Sequence, residues 1–143
     1  MPAAVVPTPA KIAPVFPGRS RIRSYIAAEA LSMGDPVYQT TAGRAGKADA
    51  ATSGKQQFRG VALNKAGVSQ AVEVLEEGEV GGFDLSGSVT VPDALVYLGA
   101  AGAYSDTANV TKTVVVGRVK VLTDDMSAPT RVLHVYANEN ANW

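Results

Sequence analysis

Six short phrases follow one another after residue 35: PVYQT, RGVALN, AVEVLEEG, FDLSGSVTVP, VVVGRVKVL and RVLHVYAN. Each is β-branched or alternates apolar with polar residues, and each is bounded by glycine, asparagine or proline. Alternation with period two sends successive side chains to opposite faces of a strand, and the punctuation ends each run before a helix could establish itself. The chain is therefore expected to be all-β, closed as a small barrel or sandwich that leaves few exposed edges. At 143 residues it has the size of one ordinary domain and can bury a self-supporting core.

One phrase is written twice. FRGVALNKA (Phe58 to Ala66) is answered by VVVGRVKVL (Val114 to Leu122), each with a glycine just before alternating apolar positions. Upstream of each copy, LSMGDPVYQ (Leu31 to Gln39) and LGAAGAYSD (Leu98 to Asp106) both run from leucine through glycine to tyrosine. The interval from Tyr38 to Gly60 differs from that between Tyr104 and Gly117, so a strict solenoid repeat is excluded. A duplication, if present, has diverged by loop insertion. Chance recurrence of glycine-punctuated β phrases is the competing explanation. The polar stretch TTAGRAGKADAATSGKQQ, residues 40–57, reads as a long hairpin or a mobile loop.

Five of the eight prolines fall at Pro2, Pro7, Pro9, Pro14 and Pro17. Proline fixes φ and removes a backbone donor, so this segment is neither helix nor central strand but an extended arm. The arm is not a solvated linker, because Val5, Val6, Ile12, Val15 and Phe16 gain free energy only when covered. Their cover is expected to be another protein, with folding back onto the same domain as the alternative. The domain boundaries that follow are an arm over residues 1–18 and a β domain over residues 19–143. Next to the arm, Arg19, Arg21 and Arg23 alternate with Ser20, Ile22 and Ser24, so that on a strand they share one face. Helical spacing of Ile22, Tyr25, Ile26 and Ala30 competes there, and an extended segment is the preferred reading.

Composition removes several kinds of chemistry. The chain has no cysteine, which excludes a disulfide framework, a thiolate nucleophile and sulfur-ligated zinc. Thirteen basic and thirteen acidic side chains balance, so the bulk field favours neither nucleic acid nor anionic membrane, and electrostatic recognition has to be local. The first residues have no basic start and are cut by prolines, which is unlike a secretory signal, so a soluble, unexported chain is expected. His134 is the only histidine and is expected to be a hydrogen-bonded strand residue rather than a catalytic or metal-binding one. The adjacent acids in LEEGE (Leu75 to Glu79) and TDDM (Thr123 to Met126) look like solvated turns, without the apolar pocket that would raise one pKa. The phosphate-loop and dinucleotide glycine patterns are absent. No enzyme activity and no cofactor are expected.

The succession ALSMGDPVY, FRGVAL, GFDLSGSVTVP, GAAGAYSD and VVVGRVKVL, spanning roughly Tyr25 to Tyr136, resembles the small capsid decoration, or cement, proteins of tailed bacteriophages. The resemblance implies a β-barrel or β-tulip domain on the outer surface of the virion, often trimeric, that stabilises the shell by bridging major capsid protein subunits. It implies that the arm carries the contact, which would involve Val5, Val6, Pro7, Pro9, Ile12, Pro14, Val15, Phe16 and Pro17, with Arg19, Arg21 and Arg23 beside it. It also makes the two Gly-Val phrases corresponding strands, each led by a hairpin containing Tyr38 or Tyr104. Trp143, after the polar ANENAN, is a candidate oligomer or capsid anchor. Nucleic acid and membrane are not expected partners. The alternatives are a carbohydrate-binding or fibre-like adhesion module, for which Tyr97, Tyr104, Tyr136 and Trp143 are the available aromatics, and a head-to-tail connector subunit.

Overall fold

A computed structural model describes residues 5–8, 11–15, 18, 20–85, 92–100, 102–122 and 130–136. The domain is all-β, and its antiparallel sheet curls into a half-barrel. Its strands are β1 (Ala13–Pro14), β2 (Arg21–Ile26), β3 (Pro36–Gln39), β4 (Ala45–Lys47), β5 (Phe58–Ala62), β6 (Ala71–Gly81), β7 (Leu95–Leu98), β8 (Tyr104–Ser105), β9 (Val115–Leu122) and β10 (Thr130–Tyr136). The order is β4-β3-β5-β6-β10-β9-β7-β8, with β1 and β2 both paired to β6.

That order contains two copies of one unit. In each, a hairpin (β3–β4, β7–β8) is followed by a strand beside its first member (β5, β9) and then by a strand beside that one (β6, β10). The units meet where β6 pairs with β10, with Glu77 opposite Tyr136. The registers match residue by residue. Val37 faces Gly60 and Val96 faces Gly117, and in both units the pairing slips immediately after that valine. Gly34 N–H donates to the Ala62 carbonyl at 2.8 Å and Ala62 N–H to the Asp35 carbonyl at 2.9 Å. In the second unit Asp93 N–H donates to Val119 at 2.8 Å and Val119 N–H to Ala94 at 2.9 Å. Gly34 and Asp93 even share a left-handed backbone, with φ of 92° and 66°.

The duplicated phrase thus has a structural cause. A Cβ on Gly60 would collide with the carbonyl oxygen of Leu75, and one on Gly117 with that of His134, so at both positions the neighbouring backbone approaches too closely for any side chain. The pairing of Gly60 with Gly117 is as the sequence indicated, but the tyrosines are not. The counterpart of Tyr38 is Tyr97, whereas Tyr104 belongs to the second strand of its hairpin and aligns with Ala45. Measured from Tyr97, the interval to Gly117 is only two residues shorter than that from Tyr38 to Gly60, and no large insertion separates the units.

Two cores result. The larger gathers Phe58, Val61, Leu75, Val80, Val96, Leu98, Tyr104, Val116, Val119 and Leu133 with Val5 and Ile12 of the arm. The smaller, made of Tyr25, Ala27, Leu31, Val37, Ala45, Ala62, Ala66, Val72 and Val74, lies inside the first unit, which β2 closes through a bridge from Ala27 to Ala45. Residues 40–57 are neither one long hairpin nor a loose loop. After β4, Ala48 and Ala50 enter the larger core and exchange backbone bonds with the second hairpin, Ala50 N–H to Gly99 O at 3.0 Å and Gly102 N–H to Ala48 O at 3.1 Å.

Described residues of the arm pack on the β domain. Val5 and Ile12 are each 3% exposed, Val5 N–H donates to Tyr104 O at 3.1 Å, and Pro7 bridges to Phe83. Pro14 sits in two-residue β1 at the sheet margin, where a missing donor is tolerated, and Val15 N–H donates to Glu79 O at 2.8 Å. Of the apolar groups expected to need cover over residues 1–18, Val5 and Ile12 therefore find it in the core of their own chain, which is the folding-back alternative at those two positions, while Val6 stays exposed.

Candidate docking recess

β2 resolves the helix-or-strand ambiguity as strand. Across Ile22 to Ile26 it pairs regularly with Leu75 to Ala71, but Arg21 pairs with Glu77, leaving Glu76 as an extra residue on β6. Such a bulge re-aims the side chain it carries. Glu76 is only 6% exposed, and its carboxylate accepts the Tyr25 hydroxyl at 2.5 Å and lies 3.4 Å from Nε of Arg21. A buried carboxylate needs such partners, since desolvation alone would otherwise make its charge untenable. Burial, reinforced by the hydrogen bond to Glu76, raises the pKa of Tyr25 and holds it as a neutral donor.

These groups line a recess of about 290 Å³ together with Arg23, Gln39 and Arg59. Three arginines and one buried carboxylate line it, so a protein without net charge carries a locally cationic depression. Glu77, 3.8 Å from Arg21, offsets part of that charge from outside. Arg21 and Arg23 share a face, as the alternation predicted, but Arg21 already meets carboxylates of its own chain. Chemically the recess can hold an anionic group between planar guanidiniums.

The other candidate residues do not assemble into one site. Val5 and Ile12 are core residues, while Val6 is 54% exposed. Pro7, Pro14 and Val15 are half-buried against the domain. Pro9, Phe16, Pro17, Arg19 and Trp143 lie outside the described residues. LEEGE is not a turn: Glu76, Glu77 and Glu79 stand within β6. TDDM lies outside the described residues. The ring of His134 packs edge-on against Tyr136, with centroids 4.5 Å apart, and its Nδ1 has no hydrogen-bond partner among the described residues. Tyr104 is buried and donates its hydroxyl to Gly34 O at 2.6 Å, so it offers no sugar platform. Nothing in the sequence singles out Arg59, and Glu76 enters only as one of the LEEGE acids expected in a solvated turn. Arg59 stands as the one charge in its strand and Glu76 as one of four acids in β6, and neither pattern says which distant residue the side chain meets.

Among the described residues no cluster of histidine, aspartate or glutamate could hold a metal ion, and no helix is long and apolar enough to cross a membrane. Compared with family models, with curated proteins and with solved structures, the chain matches none.

Proposed function

We propose that this protein is a capsid decoration protein that binds the outer surface of a phage head as a homo-oligomer, a trimer, and stabilises it by bridging major capsid protein subunits. The observation that carries the reading is the ordered set of glycine-punctuated phrases, most of which belong to the paired units of one all-β domain. Repeated weak contacts from several linked copies multiply into firm attachment, which suits reinforcement of a shell. Since Val5 and Ile12 are engaged by their own core, the docking contacts fall to exposed groups, namely Val6 on the arm and Arg21 and Arg23 on β2.

The test is co-sedimentation of the purified protein with expanded phage heads that lack a decoration protein, together with the temperature at which those heads release DNA. Saturable binding at many copies per head and a raised release temperature are expected. Failure to bind, or binding confined to a few copies at one vertex, overturns the reading, the second result in favour of a connector.

A further inference from the structure

The recess continues along β2. A second depression of about 390 Å³ shares Arg23, Tyr25 and Gln39 with the first and extends past Ile26 to Gly43 at the tip of the β3–β4 turn. Together they run as one groove along β2, a six-residue strand about 20 Å long. Over that length β2 pairs with β6 alone; the bridge to β4 begins only at Ala27. Among the described residues, its second edge has no pairing strand.

We propose that this groove takes up an extended acidic segment of a partner protein, added as a strand along the free edge of β2, with carboxylates at alternate positions meeting Arg21 and Arg23. Charge complementarity selects the occupant. The groove has three arginines against Glu76, which Tyr25 and Arg21 engage, and Glu77 beside Arg21, so the cationic excess lies toward Arg23, which forms an ion pair with neither carboxylate among the described residues. Main-chain pairing supplies affinity, and the two-residue period of a strand supplies the spacing: acids two apart fall beside Arg21 and Arg23, while adjacent acids would point to opposite faces. Ile26, 43% exposed at the far end, offers an apolar contact that favours a β-branched residue there. Without a segment in place the edge is a pairing hazard, and the exposed arginines flanking it are the usual protection against self-association.

The inference deepens the docking reading by naming what β2 meets, and it is tested without heads so that the two can fail separately. The full chain is titrated with a short acetylated, amidated peptide carrying glutamates two apart among threonines and valines, followed by fluorescence anisotropy. Saturable binding that weakens with salt is expected, as is a loss of about tenfold or more for Arg23→Glu. Arg23→Gln should weaken binding less, and Lys65→Glu, away from the groove, should not change it; circular dichroism confirms that each variant is folded. Peptides with glutamines, with adjacent glutamates, or with alternate backbone amides methylated should each bind worse. Equal binding of the glutamine or methylated peptide overturns the proposal, as does preferential binding of a single-stranded oligonucleotide. Peptide binding without head binding removes only the capsid reading; head binding unaffected by Arg23→Glu, with no peptide preference, removes this one.

Discussion

The two units of the sheet share a backbone and differ in what they do with it. At equivalent positions Val37, Ala62 and Val74 of the first unit face the small core, while Val96, Val119 and Leu133 of the second face the large one. The opposite face separates them further. Val61 and Leu75 enter the large core, but their counterparts Arg118 and His134 are half-buried polar residues. At these positions the first unit thus turns apolar side chains to both faces, the second to one. Register follows the places where backbones approach closely, and these are the same in both units. Facing follows residue type, which has changed.

The largest effects should come from the shared glycines. Gly60→Ala and Gly117→Ala should each cost about 3–5 kcal/mol, because a Cβ would displace the neighbouring strand, and urea unfolding should show both falling together. Gly18→Ala, with open space around it, is the control. A mild Gly117→Ala would break the equivalence of the units.

The faces should then diverge. Leu75→Ala should cost about 2–5 kcal/mol and His134→Ala under about 1 kcal/mol, and equal losses would mean that the second unit is also covered. Ile12→Ala belongs with Leu75, at about 2–4 kcal/mol, since it is buried in the same core; a neutral result would return Ile12 to the role of a contact with another protein.

Tyr104 links the arm and both units, and its removal sharpens the comparison at lower energy. Tyr104→Phe should cost about 1–2 kcal/mol by leaving the Gly34 carbonyl without its donor. Burial pushes the pKa of Tyr104 well above the usual phenol value, and that of Tyr25 is raised as well. The folded state therefore holds both protons more tightly than the unfolded chain does. Their contribution is fully present below about pH 10 and is lost as pH rises above it, so thermal melts should fall in strong alkali, less steeply in the Tyr104→Phe variant.

The smallest effect concerns the paired left-handed residues. Gly34→Ala should destabilise, because its φ is positive and a Cβ would lie 2.8 Å from Pro7 Cβ beneath the arm. Asp93 is exposed, and its carboxyl is held below the ordinary value by Lys120, 2.9 Å away. Asp93→Gly should leave the melting temperature within experimental scatter, since the glycine relieves the backbone while the surface ion pair contributes little.

Strand content, the glycines and the cationic alternation at Arg21 and Arg23 were legible in the sequence, because each is a local property: a period of two, a residue without Cβ, a charge at every second position. The same local logic misaligned Tyr104 with Tyr38, since both follow a glycine in a hairpin and only pairing distinguishes first strand from second. It also left the arm without its cover and Arg59 and Glu76 without their meeting place. Those were decided by contacts between residues far apart in the chain, Val5 with Tyr104, Tyr104 with Gly34, and Tyr25 with Glu76. Sequence alone establishes which side chains need burial or a partner. Which distant group satisfies them depends on how the two units curl and where the β6 bulge turns Glu76, and that is settled only when the whole sheet closes.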